Sequence, residues 1–137
     1  MKNQVTSIEQ SKRLIEQGVP AQKASMVWDT ISPASHPVLR IWDTSTDTKR
    51  WQVDHVGHVP AFTVADLLGM LPPDIPAIGE QNHDYFLTLS NGFCWSLRYE
   101  NSRMPHMYIG EKLEFDLIDL LCDRIEWLLS NDYKLEL

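Results

Sequence analysis

Two histidines three positions apart have the spacing in this chain that most resembles a metal site. His55 and His58 flank the dipeptide Val-Gly, and two imidazoles can ligate zinc where a bend turns both rings to one side. In a straight strand the two rings would face opposite sides. A third ligand could come from the proline-rich loop, where His83, Glu80 and Asp84 are candidates. We keep a small metal-dependent enzyme using His55 and His58 as an alternative hypothesis, against the ordinary interpretation of two exposed histidines at a strand end.

An acidic ridge is predicted on the last helix. Its members recur at steps of three and four residues, which places them on one helical face: Asp116, Asp119, Asp123 and Glu126. Neighbouring like charges at these steps repel by about 0.2–0.5 kcal/mol per pair, so the ridge is a small cost that a basic partner or a bound hard cation would offset. A solvated outer face is the ordinary interpretation. A second alternative function is an acidic immunity-type inhibitor that blocks a basic cleft by charge complementarity.

The five tryptophans are many for a chain of 137 residues. Large aromatic side chains anchor protein interfaces because each buries much area at a modest cost in entropy. Trp42 falls on the side of its predicted strand opposite Leu39 and Ile41, and Trp51 lies across the predicted hairpin. Trp42 and Trp51 are therefore candidates for an exposed aromatic patch, and packing in the core is the competing interpretation.

Composition excludes several classes of protein. Twelve basic against nineteen acidic residues give a net charge of −7, which argues against non-specific binding to nucleic acid or to an anionic membrane. The chain lacks the P-loop, the Gly-rich dinucleotide fingerprint, HExxH and GxSxG, so no cofactor is expected. Cys94 and Cys122 suit a reducing compartment, and no apolar run is long enough to span a bilayer. We expect a cytoplasmic protein.

The first two helices are predicted from capping boxes. Thr6 and Glu9 have the spacing in which each side chain satisfies a backbone N–H of the other, which predicts a helix from about residue 7 to residue 17. Thr63 and Asp66 form a short-armed version of the same box before an apolar stripe that repeats at helical spacing. Two prolines end the second helix.

The strands are predicted from runs of alternating or β-branched residues, at positions 26–30, 38–43 and 51–56. A later hairpin is assigned the three-residue loop Ser90–Gly92, which pairs Leu89 with Phe93 and Leu87 with Trp95. This register directs Phe93 and Trp95 to the core face and requires Gly92 to be left-handed.

The last predicted helix runs from about Glu114 to Ser130 and has an apolar arc wider than one contact face needs. Such a helix is either central to the core or used in self-association. The order helix, strands, helix, hairpin, helix predicts one α+β domain over residues 1–137. We expect an antiparallel sheet of four to five strands, about three helices and a central C-terminal helix.

Four stretches of the chain carry a resemblance to known proteins: residues 11–18, 60–72, 87–90 and 125–129. Together they resemble a group of short, uncharacterised proteins of gut Bacteroidetes that are often encoded near prophage or other mobile DNA. The resemblance implies a soluble cytoplasmic α+β protein, and it carries no catalytic residues over to this chain. Our leading hypothesis is a non-enzymatic interaction or accessory module that engages a protein partner, or a second copy through the C-terminal helix.

Overall fold

A computed structural model describes residues 4–30, 37–41 and 57–137. These residues contain three α-helices and two antiparallel sheets of three and four strands, so the predicted α+β class is confirmed. The chain divides into two compact units, Gln4–Leu67 and Leu68–Leu137, and each is described by itself. That residues 1–137 form one domain stays a prediction. Within the described ranges, no helix is both long and apolar enough to cross a membrane.

The N-terminal unit surrounds a small three-stranded sheet. Its elements are α1 (Ile8–Glu16), a 3₁₀ turn (Ala21–Lys23), β1 (Met26–Asp29), β2 (Val38–Ile41), β3 (His58–Ala61) and the start of α2 (Val64–Met70). Strand β1 lies between β2 and β3 and is antiparallel to both. Val27 and Val59 are buried in its core, with Trp28 packed against them. Strand β3 was not predicted, and the strand predicted at 51–56 lies outside the described residues.

Helix α1 begins one residue later than the sequence predicted. Ser7 is the N-cap: its hydroxyl accepts the N–H of Gln10 at 3.1 Å, and the Gln10 side chain accepts the N–H of Ser7 at 3.0 Å. The prediction that Thr6 caps this helix is wrong, because the Thr6 hydroxyl contacts Ser11 at 2.6 Å and accepts the N–H of Phe62 at 2.9 Å. Thr6 therefore joins α1 to the chain that follows β3.

The capping box predicted for α2 is confirmed. The Thr63 N–H donates to the Asp66 carboxylate at 2.9 Å, and the Asp66 N–H donates to the Thr63 hydroxyl at 3.1 Å. The same carboxylate accepts the Ser25 N–H at 2.8 Å and the Ser25 hydroxyl. Asp66 therefore ties the start of α2 to the residue that precedes β1.

The C-terminal unit is a four-stranded sheet with one long helix. Its elements are the end of α2, β4 (Asp74–Ile75), β5 (Tyr85–Asn91), β6 (Trp95–Asn101), β7 (Tyr108–Glu114) and α3 (Leu117–Ser130), with the strands in that order across the sheet. Helix α3 contacts β6 and β7. The apolar arc that was predicted to be central or self-associating is buried in the protein, at Leu117, Ile118, Leu120, Leu121, Cys122, Ile125 and Leu128.

Helix α3 starts later than predicted because the chain is still in β7 at Glu114. Asp116 is the N-cap, and its carboxylate accepts the N–H of Asp119 at 3.1 Å. The helix approaches β7 closely at Gly110, where φ is +67° and a Cβ would lie 2.7 Å from the Trp127 ring. Only glycine combines that backbone conformation with that closeness.

The register predicted for the β5–β6 hairpin is wrong. The structure pairs Leu89 with Leu97 and Leu87 with Tyr99, so the partner of each β5 residue lies four positions further along the chain than predicted. A displacement of four residues, an even number, preserves the side of the sheet to which every side chain points.

Candidate functional site

Three of the residues predicted to form sites, Trp42, Trp51 and His55, lie outside the described residues. His58 lies on β3 opposite Asp29, and its Nε2 is 3.5 Å from Asp29 Oδ2. The side chain is buried, with the residue only 5% exposed, so the expectation of an exposed histidine is wrong at this position. Among the described residues, no group of three or more His, Cys, Asp or Glu side chains is arranged to hold a metal ion.

The predicted acidic ridge is on α3, but its members differ in their surroundings. Asp116 caps the helix, and the Asp123 carboxylate accepts hydrogen bonds from the Arg124 guanidinium. Glu126 is half-buried and Asp119 is exposed. Since Asp116 and Asp123 already have structural roles, the ridge is not a uniform row of free carboxylates available to a basic partner.

A different surface of the C-terminal unit exposes large apolar side chains. We call Phe93, Leu113 and Phe115 the apolar corner. They are 93%, 55% and 73% exposed, respectively. The Phe93 and Phe115 rings meet edge to face with centroids 5.7 Å apart. Large apolar side chains grouped in this way on a surface are typical of sites that contact another molecule.

The exposure of Phe93 follows from the hairpin register. Asn91 pairs with Trp95, which leaves Gly92, Phe93 and Cys94 as the connecting residues, and the Gly92 N–H donates to the Cys94 carbonyl at 3.1 Å. Phe93 is therefore at the tip and not on the core face. Gly92 is not among the described glycines with positive φ, so the predicted left-handed bulge at that residue is also wrong. Both registers pair large apolar residues with Leu87 and Leu89, so no local sequence signal would have located the tip.

The sheet face that includes Leu113 has a charged centre. Arg98 donates to Glu100 at 2.9 Å and to Glu111 at 3.1 Å, and its guanidinium carbon lies 4.4 Å from the centre of the Tyr108 ring. The hydrogen bonds to Glu100 and Glu111 raise the pKa of Arg98 above its ordinary value. Because two carboxylates already compensate this cation, the face is not suited to binding an anion.

A cleft of about 380 Å³ lies elsewhere in the same unit. Its walls are formed by the segment 72–76, by His83 and by the chain that follows α3 at 132–136. The buried Tyr99 hydroxyl donates to the Pro72 carbonyl at 2.9 Å and so holds one wall in place. Burial, and secondarily the charge of Asp74, raises the pKa of Tyr99 above its ordinary range. Tyr99 therefore remains a neutral donor at physiological pH.

The other wall is fixed by the way α3 ends. The Tyr133 N–H donates to the Leu128 carbonyl at 2.9 Å and the Asp132 N–H donates to the Leu129 carbonyl at 3.2 Å, which is the Schellman arrangement. Asp132 has a φ of 62° in this turn, a conformation usually taken by glycine. Further along, the Glu136 N–H donates to the Met70 carbonyl at 2.9 Å.

Tyr133 joins this wall to the helix. Its ring stacks on Trp127 with centroids 5.6 Å apart, and its hydroxyl is buried with no hydrogen-bond partner among the described residues. Burial, and to a smaller extent Tyr85, raises the pKa of Tyr133. A buried hydroxyl without a partner costs about 1–3 kcal/mol, so a polar group that reached it would stabilise the folded state.

The charges that line the cleft are predominantly negative. Asp74 contacts His83, with Oδ1 and Nδ1 2.9 Å apart. Asp132 and Glu136 add two carboxylates, and Lys134 is the single lysine or arginine in the lining. In the described part of the chain, neither of these two carboxylates forms an ion pair with Lys134. No sequence pattern predicted this cleft, because the residues of its two walls are about sixty positions apart.

Comparison with known proteins gives no relative from which a function can be transferred. No protein-family model, no curated protein and no solved structure matches the chain at a significant level.

Proposed function

We propose that this protein is a non-enzymatic interaction module whose apolar corner binds a partner protein. The observation that carries the proposal is the pair Phe93 and Phe115, which touch each other and are 93% and 73% exposed. Neither ring is buried in the core, so core packing does not account for the two phenylalanines. Binding by a partner does account for them.

Burial of apolar area would supply most of the free energy of binding at the apolar corner. Covering a phenylalanine side chain stabilises a complex by about 1.5–3 kcal/mol, and aromatic residues dominate the energetics of many interfaces. The edge-to-face contact between Phe93 and Phe115 restrains both rings before binding, which lowers the entropy that a complex must lose. Leu113, two residues before Phe115, is a third exposed apolar side chain.

The charges around the apolar corner indicate what kind of partner fits it. Glu114 and Asp116 flank Phe115 in the chain, and the exposed Asp119 lies one helical turn beyond Asp116. We therefore propose a partner whose apolar contact residues are bordered by basic side chains, which agrees with the net charge of −7. The expected binding weakens as ionic strength rises, because Asp119 is exposed and salt screens exposed charges.

The free thiols and the buried histidine support two further parts of the proposal. We place the protein inside the cell, supported by the free thiols Cys94 and Cys122. We prefer an interaction module to a metal-dependent enzyme, since the His58 ring is buried against Asp29. An association with mobile DNA stays a prediction from the resemblance.

The proposal is tested by comparing what three forms of the tagged full chain capture from lysate of the native host, with mass spectrometry as the readout. The forms are the wild type, the double variant Phe93→Ser/Phe115→Ser and the control Ile78→Ser, which also removes an exposed apolar side chain. We expect one protein to be retained by the wild type and the control and lost with the double variant. If no captured protein depends on Phe93 and Phe115, the proposal is wrong.

A further inference from the structure

We propose that the cleft between residues 72–76 and 132–136 binds an organic cation carried on an aliphatic stem, an alkylammonium or an alkylguanidinium group. This site is separate from the apolar corner and does not depend on the function proposed for it. The inference rests on three observations: the charge of the lining, its apolar side chains and the hydrogen bonds that hold both walls.

The charged side chains that line the cleft are mainly acidic. Asp74, Asp132 and Glu136 line the cleft together with a single lysine, Lys134. Asp74 is engaged with His83, whereas no described basic side chain forms an ion pair with Asp132 or Glu136. An anionic ligand would meet net negative charge there, and a cation would be attracted. A bare metal ion fits less well, since the described residues hold no cluster of three ligating side chains.

The cleft also offers apolar contact, which distinguishes an alkyl cation from a small inorganic one. Pro72, Ile75 and Pro76 form one wall, and Tyr133 contributes to the other. Lysine and arginine side chains combine an aliphatic stem with a charged end in the same way. When the guanidinium or ammonium group lies among the carboxylates, its aliphatic stem would contact these apolar lining residues.

Both walls are held in position before any ligand binds. The hydrogen bond from Tyr99 fixes Pro72, and the bond from the Glu136 N–H to the Met70 carbonyl fixes the chain that follows α3. Tyr133 is stacked on Trp127, and its buried hydroxyl lacks a hydrogen-bond partner in the described part of the chain. A preformed site loses little conformational entropy when it is occupied.

The test uses n-butylguanidinium and n-butylammonium chlorides as probes and the neutral isostere n-butylurea as their control. Binding to the full chain is followed by backbone amide NMR shifts, and we expect saturable shifts at residues 132–136 with either cation and not with the urea. In Asp132→Asn/Glu136→Gln the affinity for both cations should fall by at least about tenfold. The matched control, Glu9→Gln/Glu16→Gln, removes two exposed carboxylates of α1 and should bind as the wild type does.

The amide spectrum of each variant also shows whether it is folded, so a loss of binding through misfolding is recognised. A capped Gly-Arg-Gly peptide distinguishes the two sources of the cation. Tighter binding of the peptide than of n-butylguanidinium identifies an arginine of a protein, and weaker binding identifies a free small cation. Absence of saturable shifts with all cationic probes overturns the inference. Equal binding of n-butylurea, or unchanged binding by the double variant, also overturns it.

Discussion

The rings of Phe93 and Phe115 meet edge to face with their centroids 5.7 Å apart, and both remain largely exposed. One ring lies at the tip of the β5–β6 hairpin and the other just beyond the end of β7. Contacts between aromatic rings contribute about 0.5–1.5 kcal/mol beyond the area that they bury. The pair is therefore partly ordered by itself, and most of its apolar area is still available to another molecule.

Removing the apolar corner should leave the fold almost unchanged. We expect Phe93→Ser/Phe115→Ser to change the free energy of unfolding by no more than about 1.5 kcal/mol, which is the largest contribution of their ring contact. The comparison is Leu121→Ala at a position with no exposed area, where a loss of about 2–5 kcal/mol is expected. Urea denaturation measures both. A loss in the double variant as large as that of Leu121→Ala would show that the two rings have a structural role.

Alanine substitutions at Gly110 and Gly79 together test the close approach of α3 to β7. Both glycines have positive φ, but a Cβ at Gly110 would lie 2.7 Å from Trp127 ring atoms and a Cβ at Gly79 would meet nothing within 4 Å. Gly79→Ala should therefore cost only the backbone strain of about 1–2 kcal/mol. Gly110→Ala should cost about 1–3 kcal/mol more, because the packed ring must move. Equal losses in thermal or urea unfolding would contradict this close approach.

Asp132 occupies a left-handed position that favours glycine. We expect Asp132→Gly to stabilise the protein by about 0.5–1 kcal/mol through relief of that strain. Asp132→Asn should be nearly neutral, since asparagine also tolerates this conformation, and Asp132→Ala should be destabilising. Midpoints of urea denaturation for the three variants give the order. An alanine variant as stable as the glycine variant would mean that backbone strain is absent at this residue.

Tyr99 should make the protein sensitive to alkaline pH. Burial, followed by the charge of Asp74, raises its pKa above the ordinary value of 10.0, so the folded state retains the proton where the unfolded state loses it. The stabilisation is complete below about pH 10 and is lost as the pH rises toward the folded-state pKa. Tyr99→Phe should lower stability at neutral pH by about 0.5–1.5 kcal/mol, because the bond to Pro72 is lost.

The same variant should lose less stability than the wild type between neutral and strongly alkaline pH. Denaturant unfolding at a series of pH values measures the two slopes. Parallel curves for the wild type and Tyr99→Phe would show that another group controls the alkaline response, and Tyr133, whose pKa is also raised, is the next to substitute.

Local chemistry in the sequence predicted the features that depend on neighbouring residues. The Thr63–Asp66 capping box requires only residues three positions apart, and it is present as predicted. The wide apolar arc of α3 correctly indicated a buried helix. The first capping box was displaced by one residue because Thr6 has a long-range partner, the Phe62 N–H, which local spacing does not reveal.

The surfaces with candidate functions depend on long-range pairing, and the sequence did not predict them. Phe93 was assigned to the core by a register four residues away from the observed one, and β7, which leads to Phe115, was not recognised as a strand. A strand containing Gly110 and alternating charges lacks the usual β-strand composition. The cleft required knowledge of how the chain after α3 returns to Met70.

Site-specific photo-crosslinking at the apolar corner tests the central claim most directly. A photoreactive phenylalanine analogue replaces Phe93 in the full chain, or replaces Ile78 as the control, and cells of the native host are irradiated. The account predicts one discrete crosslinked protein from position 93 and none of that mass from position 78, with the product reduced by Phe115→Ser and by high salt in lysate. If position 93 gives no discrete product, or gives the same products as position 78, the apolar corner is not an interaction surface.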